Sequence, residues 1–239
     1  MAVSITNYPA HYSGTGTGTH AIGTLTGVTA GSTIVALFGE TAANDRSIVS
    51  VTSNNPTDTA LTQVYGRQKV GASNQWAALY YLPNAAAGDH TITVVVSGST
   101  TIHAQVVEIA GADQTAPLVT NNLLDDGAVT DTHYCAPTGS IDTTETDVAV
   151  VTVSIAVATT GTRTAHAQLT ALDASAAWFM QFGYPGNTPA LSTPLTDFRA
   201  EWTNTGTDRQ FINLIAAFTG TGESGLSVSV AEVQTSVTF

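Results

Sequence analysis

Residues 90–97 alternate. Ile92, Val94 and Val96 fall on one face and Thr91 and Thr93 on the other, the period of a half-buried β-strand. The surrounding stretch, residues 75–111, reads as three consecutive strands. Residues 76–82 are aromatic-rich and end at Pro83, and residues 84–89 make a small-residue connection. Ser97-Gly98-Ser99 is a turn signal, after which the chain returns over residues 102–109 and stops at Gly111. An antiparallel meander with one apolar face requires a second layer to cover it.

The same reading continues along the chain. Residues 33–38 (TIVALF) are continuously apolar, 47–53 (SIVSVTS) alternate, 54–58 turn, and 61–70 form a strand carrying Arg67 and Lys69. Residues 112–146 are the least regular, with Pro117, Asn121-Asn122, Asp125-Asp126-Gly127 and Pro137. They suit a long crossover between sheets or a linker. Strands follow at 147–157, 163–172 and 177–184, then a turn at Pro185-Gly186-Asn187 and a loop at 191–194. Residues 198–203 and 209–218 pair as a hairpin through 205–208. Residues 225–239 form a last strand whose apolar parity switches between Val230 and Val233, the mark of a bulge or bend. Residues 1–23 are polar. Their Gly14-Thr15-Gly16-Thr17-Gly18 run lacks the strand before it and helix after it that a phosphate loop needs, so it reads as a flexible arm.

The two halves rhyme. Residues 76–83 (WAALYYLP) match 178–185 (WFMQFGYP), 102–111 match 211–220, and 33–38 have an echo in 147–153. Two copies suit two related sheets facing each other. The expected fold is therefore all-β: one antiparallel β-sandwich of jelly-roll type. An N-terminal arm covers residues 1–26 and the sandwich 27–239, with halves at about 27–111 and 140–239.

Composition narrows the function. Of 239 residues 43% are hydrophobic and only 10% charged, against roughly 25% in an ordinary globular protein. Six Lys plus Arg stand against 18 Asp plus Glu, a formal charge of -12, and Lys69 is the one lysine. Such a surface has no footprint for phosphate backbones and is repelled by anionic headgroups, so neither nucleic acid nor membrane is an expected partner. Cys135 stands alone, which excludes an intrachain disulfide. The first residues carry no basic start and no apolar h-region. The expectation is a cytosolically made protein that leaves a cell by assembly or lysis.

Candidate chemistry is sparse. His11, His20, His90, His103, His133 and His166 include no pair at the spacings metal sites commonly use. His133 and Cys135 would share a strand face, but no oxyanion pocket or orienting partner can be named. No Gly-x-Ser-x-Gly elbow occurs. Asp125, Asp126, Asp131, Asp142, Glu145 and Asp147 read as a solvated acidic region, with calcium held by Asp125, Asp126 and Asp131 as the alternative. Trp76, Trp178 and Trp202 read as core rather than as a sugar-stacking platform. No catalytic, cofactor-binding or metal residue is assigned, and neither enzymatic activity nor a cofactor is expected.

The meander resembles a group of small bacterial and bacteriophage β-sandwich proteins. The residues carrying the likeness are Trp76, Tyr80, Tyr81, Gly88, Thr91, Ile92, Thr93, Val94, Val107, Glu108, Ile109 and Gly111. The resemblance spans most of residues 33–218. It implies a virion protein of a tailed phage: a decoration, head-fibre or tail-associated component. On that basis the expected role is capsid decoration in the virion, as a homo-oligomer bound to the major capsid protein or other virion proteins. A carbohydrate-binding or adhesin module is the alternative, and a polysaccharide depolymerase the third reading.

Overall fold

The computed structural model describes residues 2–42, 44–69, 74–129, 140–157, 163–174, 178–199, 202–204 and 209–221. Its strands are β1 (Ser4–Asn7), β2 (Tyr12–Val28), β3 (Ser32–Glu40), β4 (Ile48–Ser53), β5 (Thr62–Lys69), β6 (Trp76–Ala85) and β7 (Gly88–Ala110). They continue with β8 (Leu118–Val129), β9 (Val148–Val157), β10 (Arg163–Ala165), β11 (Thr170–Ala174), β12 (Trp178–Gly183), β13 (Trp202–Asn204) and β14 (Arg209–Thr219). No helix occurs among the described residues. One sheet runs β1-β7-β3-β6-β5, with β2 and β4 also laddered to β7; the other runs β11-β12-β9-β14-β8, and β10 pairs β13. Every pairing is antiparallel.

The all-β sandwich expected from the sequence is the fold observed. Its two sheets face each other across a shared core: Val35, Leu37, Val107 and Ile109 from the first, and Val151, Val153, Leu214 and Ala216 from the second. Each sheet comes from one continuous stretch of chain. The alternation of successive strands between sheets that marks a jelly roll is not seen among the described strands.

The internal repeat is real at the level of topology. The order β5-β6-β3-β7-β1 corresponds strand for strand to β11-β12-β9-β14-β8. Register corrects the alignment, however. Leu37 faces Leu79 and Gln105, as Val153 faces Met180 and Leu214. Trp178 therefore takes the place of Ala77, not Trp76. A slip of one residue exchanges a strand's faces. Trp76 accordingly belongs to the core on the far side of the first sheet, whereas Trp178 packs against the shared core.

That far-side core explains β7. Up to Val96 the strand ladders with β4, and from Ile102 with β3, while β2 follows its other edge as far as Ala104 and β1 takes over at Glu108. The sheet folds over at this change of partner. Ile22, Leu25, Val51, Ile92 and Val94 from its outer layer then meet Ile34, Ala36, Phe38 and Trp76 from β3 and β6. The expected turn at Ser97-Gly98-Ser99 is instead the bend. Only Thr17 stands opposite three residues there, between the pairs Gly16↔Thr100 and Gly18↔Val96. The Arg46 guanidinium lies against Gly98, where a Cβ would be 2.8 Å from its Cζ.

Other expectations shift for similar reasons. The supposed arm at residues 1–26 forms β1 and β2 over its described residues, and β2 runs on past residue 26. Gly14 makes room there, since a Cβ on it would run into the Tyr12 hydroxyl. Pro83 does not end β6. It sits where the ladder to β3 breaks, beside Asn84 at φ 50°, and costs no ladder bond there. The irregular region 112–146 contains β8, and residues 163–172 divide into β10 and β11 around a turn closed by Leu169 N–H to the His166 carbonyl (2.9 Å). The hairpin expected of 198–203 with 209–218 is not formed by β13, which pairs β10, while β14 lies between β8 and β9. The expected last strand, 225–239, lies outside the described residues.

Candidate functional site

The polar groups inside the sandwich largely hold its own backbone. Glu40, at the end of β3, is fully buried; its Oε1 accepts the Ala42 N–H (3.0 Å) and the Thr100 hydroxyl. His90 is equally buried. Its Nε2 donates to the Ala86 carbonyl (2.9 Å), which makes Nδ1 the acceptor for the Ser53 hydroxyl (2.9 Å). His20 Nδ1 lies 2.9 Å from the Tyr12 hydroxyl.

Residues between β1 and β2 form a strap across the side of the sandwich. Gln105 donates to the Pro9 carbonyl (2.6 Å), and Tyr8 packs on Phe182 with centroids 5.4 Å apart. His11 stacks on His103 (5.4 Å) and on Trp178 (5.6 Å), and His103 lies 3.5 Å from Trp178, centroid to centroid. Three segments distant in sequence thus meet in one stack of rings. Tyr8 remains 50% exposed, and Phe182 also stacks with Tyr184, centroids 6.3 Å apart.

The described acidic residues that the sequence pointed to are held by backbone N–H groups. Asp147 Oδ1 accepts the Val3 N–H (2.7 Å), Asp142 Oδ1 the Asp197 N–H (2.6 Å), and Glu145 Oε2 the Thr144 N–H (3.1 Å). They fasten loops and the start of the chain. Asp131, His133 and Cys135 lie outside the described residues, and of Asp125, Asp126 and Trp202 only the strand positions are described. Among the described residues no three His, Cys, Asp or Glu side chains are placed to share a metal ion.

Surface clefts differ in charge. One, about 360 Å³, is lined by His166, Thr196, Asp197, Phe198 and Arg199. Its charges cancel: Arg199 Nη2 lies 2.9 Å from Asp197 Oδ2 and, with a hydrogen bond from Ser140, holds that carboxyl below the usual carboxylate range. Another, about 270 Å³, is lined by Val119, Asp142, Thr143, Thr144 and Glu145. A further cleft of about 370 Å³ is lined by Thr6, Asn7, Thr26, Gly27, Thr29 and Glu108. Glu108 is only 3% exposed, and its Oε1 accepts both the Thr29 N–H and the Ser32 hydroxyl at 2.9 Å.

Sequence reasoning weighed the histidines, acids and tryptophans one by one and did not single out Glu108 or Tyr8 as site residues. A signal for Glu108 was present, since a carboxylate inside the apolar run VVEIAG is rarely idle. Tyr8 carried none, because its exposure depends on where β12 lies. No protein family, curated protein or solved structure matches the chain.

Proposed function

We propose that the chain is a structural protein of a bacteriophage virion, a decoration protein that binds the outside of a capsid shell as a homo-oligomer. The observation that carries this reading is the outward face of the folded-over layer. Thr19, Ala21 and Thr24 of β2 stand beside Val95, Thr93 and Thr91 of β7, and Ser50 and Thr52 of β4 stand beyond Val95 and Thr93. No charged residue interrupts these rows. Hydroxyls pair across them at Thr24–Thr91 (2.9 Å) and at Thr15–Thr101 (2.8 Å). Among the described strands β2 ladders only with β7, so one edge of a 17-residue strand has no partner among the described residues and suits a neighbour. An uncharged hydroxyl face beside an open edge suits lateral contact between proteins better than chemistry on a small substrate. Intact particles, purified and quantified by mass spectrometry, should contain this chain at a fixed ratio to the major capsid protein. Its absence from particles ends the proposal.

The half-exposed Tyr8, backed by Phe182 and Tyr184, favours a second reading as a carbohydrate-binding module on the same sandwich. Trp76 and Trp178 do not support that reading, because Trp76 is buried and Trp178 is covered by His103. A glycan array decides: reproducible binding that Tyr8→Ala abolishes promotes it, and a flat array removes it.

A further inference from the structure

We propose that the cleft above Glu108 is a socket for one organic cation, the ammonium or guanidinium tip of a lysine or arginine side chain on a partner protein. This goes beyond the virion reading and does not depend on it. Glu108 lies on β7 between Val107 and Ile109, both of which face the shared core. It points the other way, beneath the ends of β1 and β2. Two donors saturate Oε1. Oε2 takes no hydrogen bond from a described residue, and Glu108 is the one charged residue among those described that line the cleft. The other lining residues are neutral. Asn7 gives its Nδ2–H to the Thr26 carbonyl (3.0 Å), which leaves its Oδ1 to accept. Among the described residues no lysine or arginine lines the cleft. Two of the six cations sit together elsewhere, where Arg67 (2.6 Å) and Lys69 (2.8 Å) hold Asp45.

A nearly buried carboxylate without a counter-charge is unfavourable, and a guest cation removes that penalty. Charge count selects the guest. Calcium takes six to eight oxygens and binds more tightly as carboxylates are added, whereas this cleft offers one free carboxylate oxygen among hydroxyls and amide oxygen. A single ammonium, with three donors and one charge, matches that set. The guest comes from a different protein, because a second copy of this chain offers only six Lys plus Arg and carries the same charge of -12.

Nuclear magnetic resonance of the full chain tests this at constant ionic strength. The probes are N-acetyl-lysine methylamide, n-butylammonium chloride and calcium chloride, each against sodium chloride alone. Both ammonium probes should move the Gly27 and Thr29 amide resonances saturably in the millimolar range. Glu108→Gln keeps an Oε1 for both internal bonds and removes the charge; it should weaken that response at least tenfold while circular dichroism stays unchanged. An undiminished response in Glu108→Gln overturns the proposal. If that variant does not fold, the wild-type titration decides, and no saturable shift at Gly27 and Thr29 overturns it. A response to calcium without one to butylammonium does so too. Butylammonium binding without lysine-derivative binding rejects the protein side chain as guest.

Discussion

Strands β3 and β9 are one strand built twice, and their outward faces differ. Inward, Val35 and Leu37 of β3 meet Val151 and Val153 of β9 in the shared core. Outward, β3 presents Ile34, Ala36 and Phe38, all apolar, and the sheet folds over to cover them with a full layer of strands. On β9 the outward face starts apolar at Val148 and Val150, then turns polar at Thr152 and Ser154. Its apolar end is covered by Ile141, Leu169, Leu191, Leu195 and Phe198, mostly from connecting segments. The repeat kept the inner face, which both halves need. The outer faces diverged, and the extent of apolar surface on each matches the cover it received.

The largest expected effect separates the two covers. Phe38→Ala opens a cavity between regular strands and should cost roughly 3–5 kcal/mol. Phe198→Ala, in the loop-built cover, should cost distinctly less, since such a cover relaxes into the space. Urea unfolding of both variants gives the comparison, and equal losses would break it. Next comes the approach of the two sheets. A Cβ on Gly39 would run into Ile155 Cδ1 from the opposite sheet, so Gly39→Ala should cost about 1–3 kcal/mol. The additional substitution Ile155→Val should recover part of that loss.

A smaller effect of opposite sign is expected on the polar end of β9. The Thr152 and Ser154 hydroxyls are buried without a hydrogen-bond partner. Thr152→Val should therefore leave stability unchanged or raise it, by up to about 1 kcal/mol. A fall in Tm of several degrees would mean that the hydroxyl has a function in the fold.

The smallest effect is electrostatic and lies at the junction of the halves. The backbone N–H groups of Ala116 and Thr115 hold the Asp113 carboxyl below the usual carboxylate range. A pKa lowered by folding adds stability above the unfolded value, about 3.9, and loses it as pH falls through the folded value. The Tm difference between wild type and Asp113→Asn should be constant above about pH 5 and shrink below pH 4. A difference that widens in acid would reverse the sign.

Strand positions were legible because alternation and apolar runs are local properties. Covers were not, because glycine looks the same whether it turns a chain or makes room for a remote side chain. Gly98 read as a turn and lies at a bend beside the Arg46 guanidinium; Gly14 read as a linker and is space for Tyr12. The repeat was visible, but matching tryptophans hid a one-residue slip that only the ladders reveal. Glu108 is a charge in an apolar run that the sequence reading passed over, and its cleft is assembled from β1 and the end of β2, about eighty to a hundred residues earlier.

Whether the halves stand together is most directly tested by native-state hydrogen exchange. With one shared core, amides of β3 and of β9, such as Leu37 and Val153, should exchange with the same free energy and the same denaturant dependence, equal to those of global unfolding. Exchange of either strand through a lower-energy opening, while the other stays protected, would contradict the account.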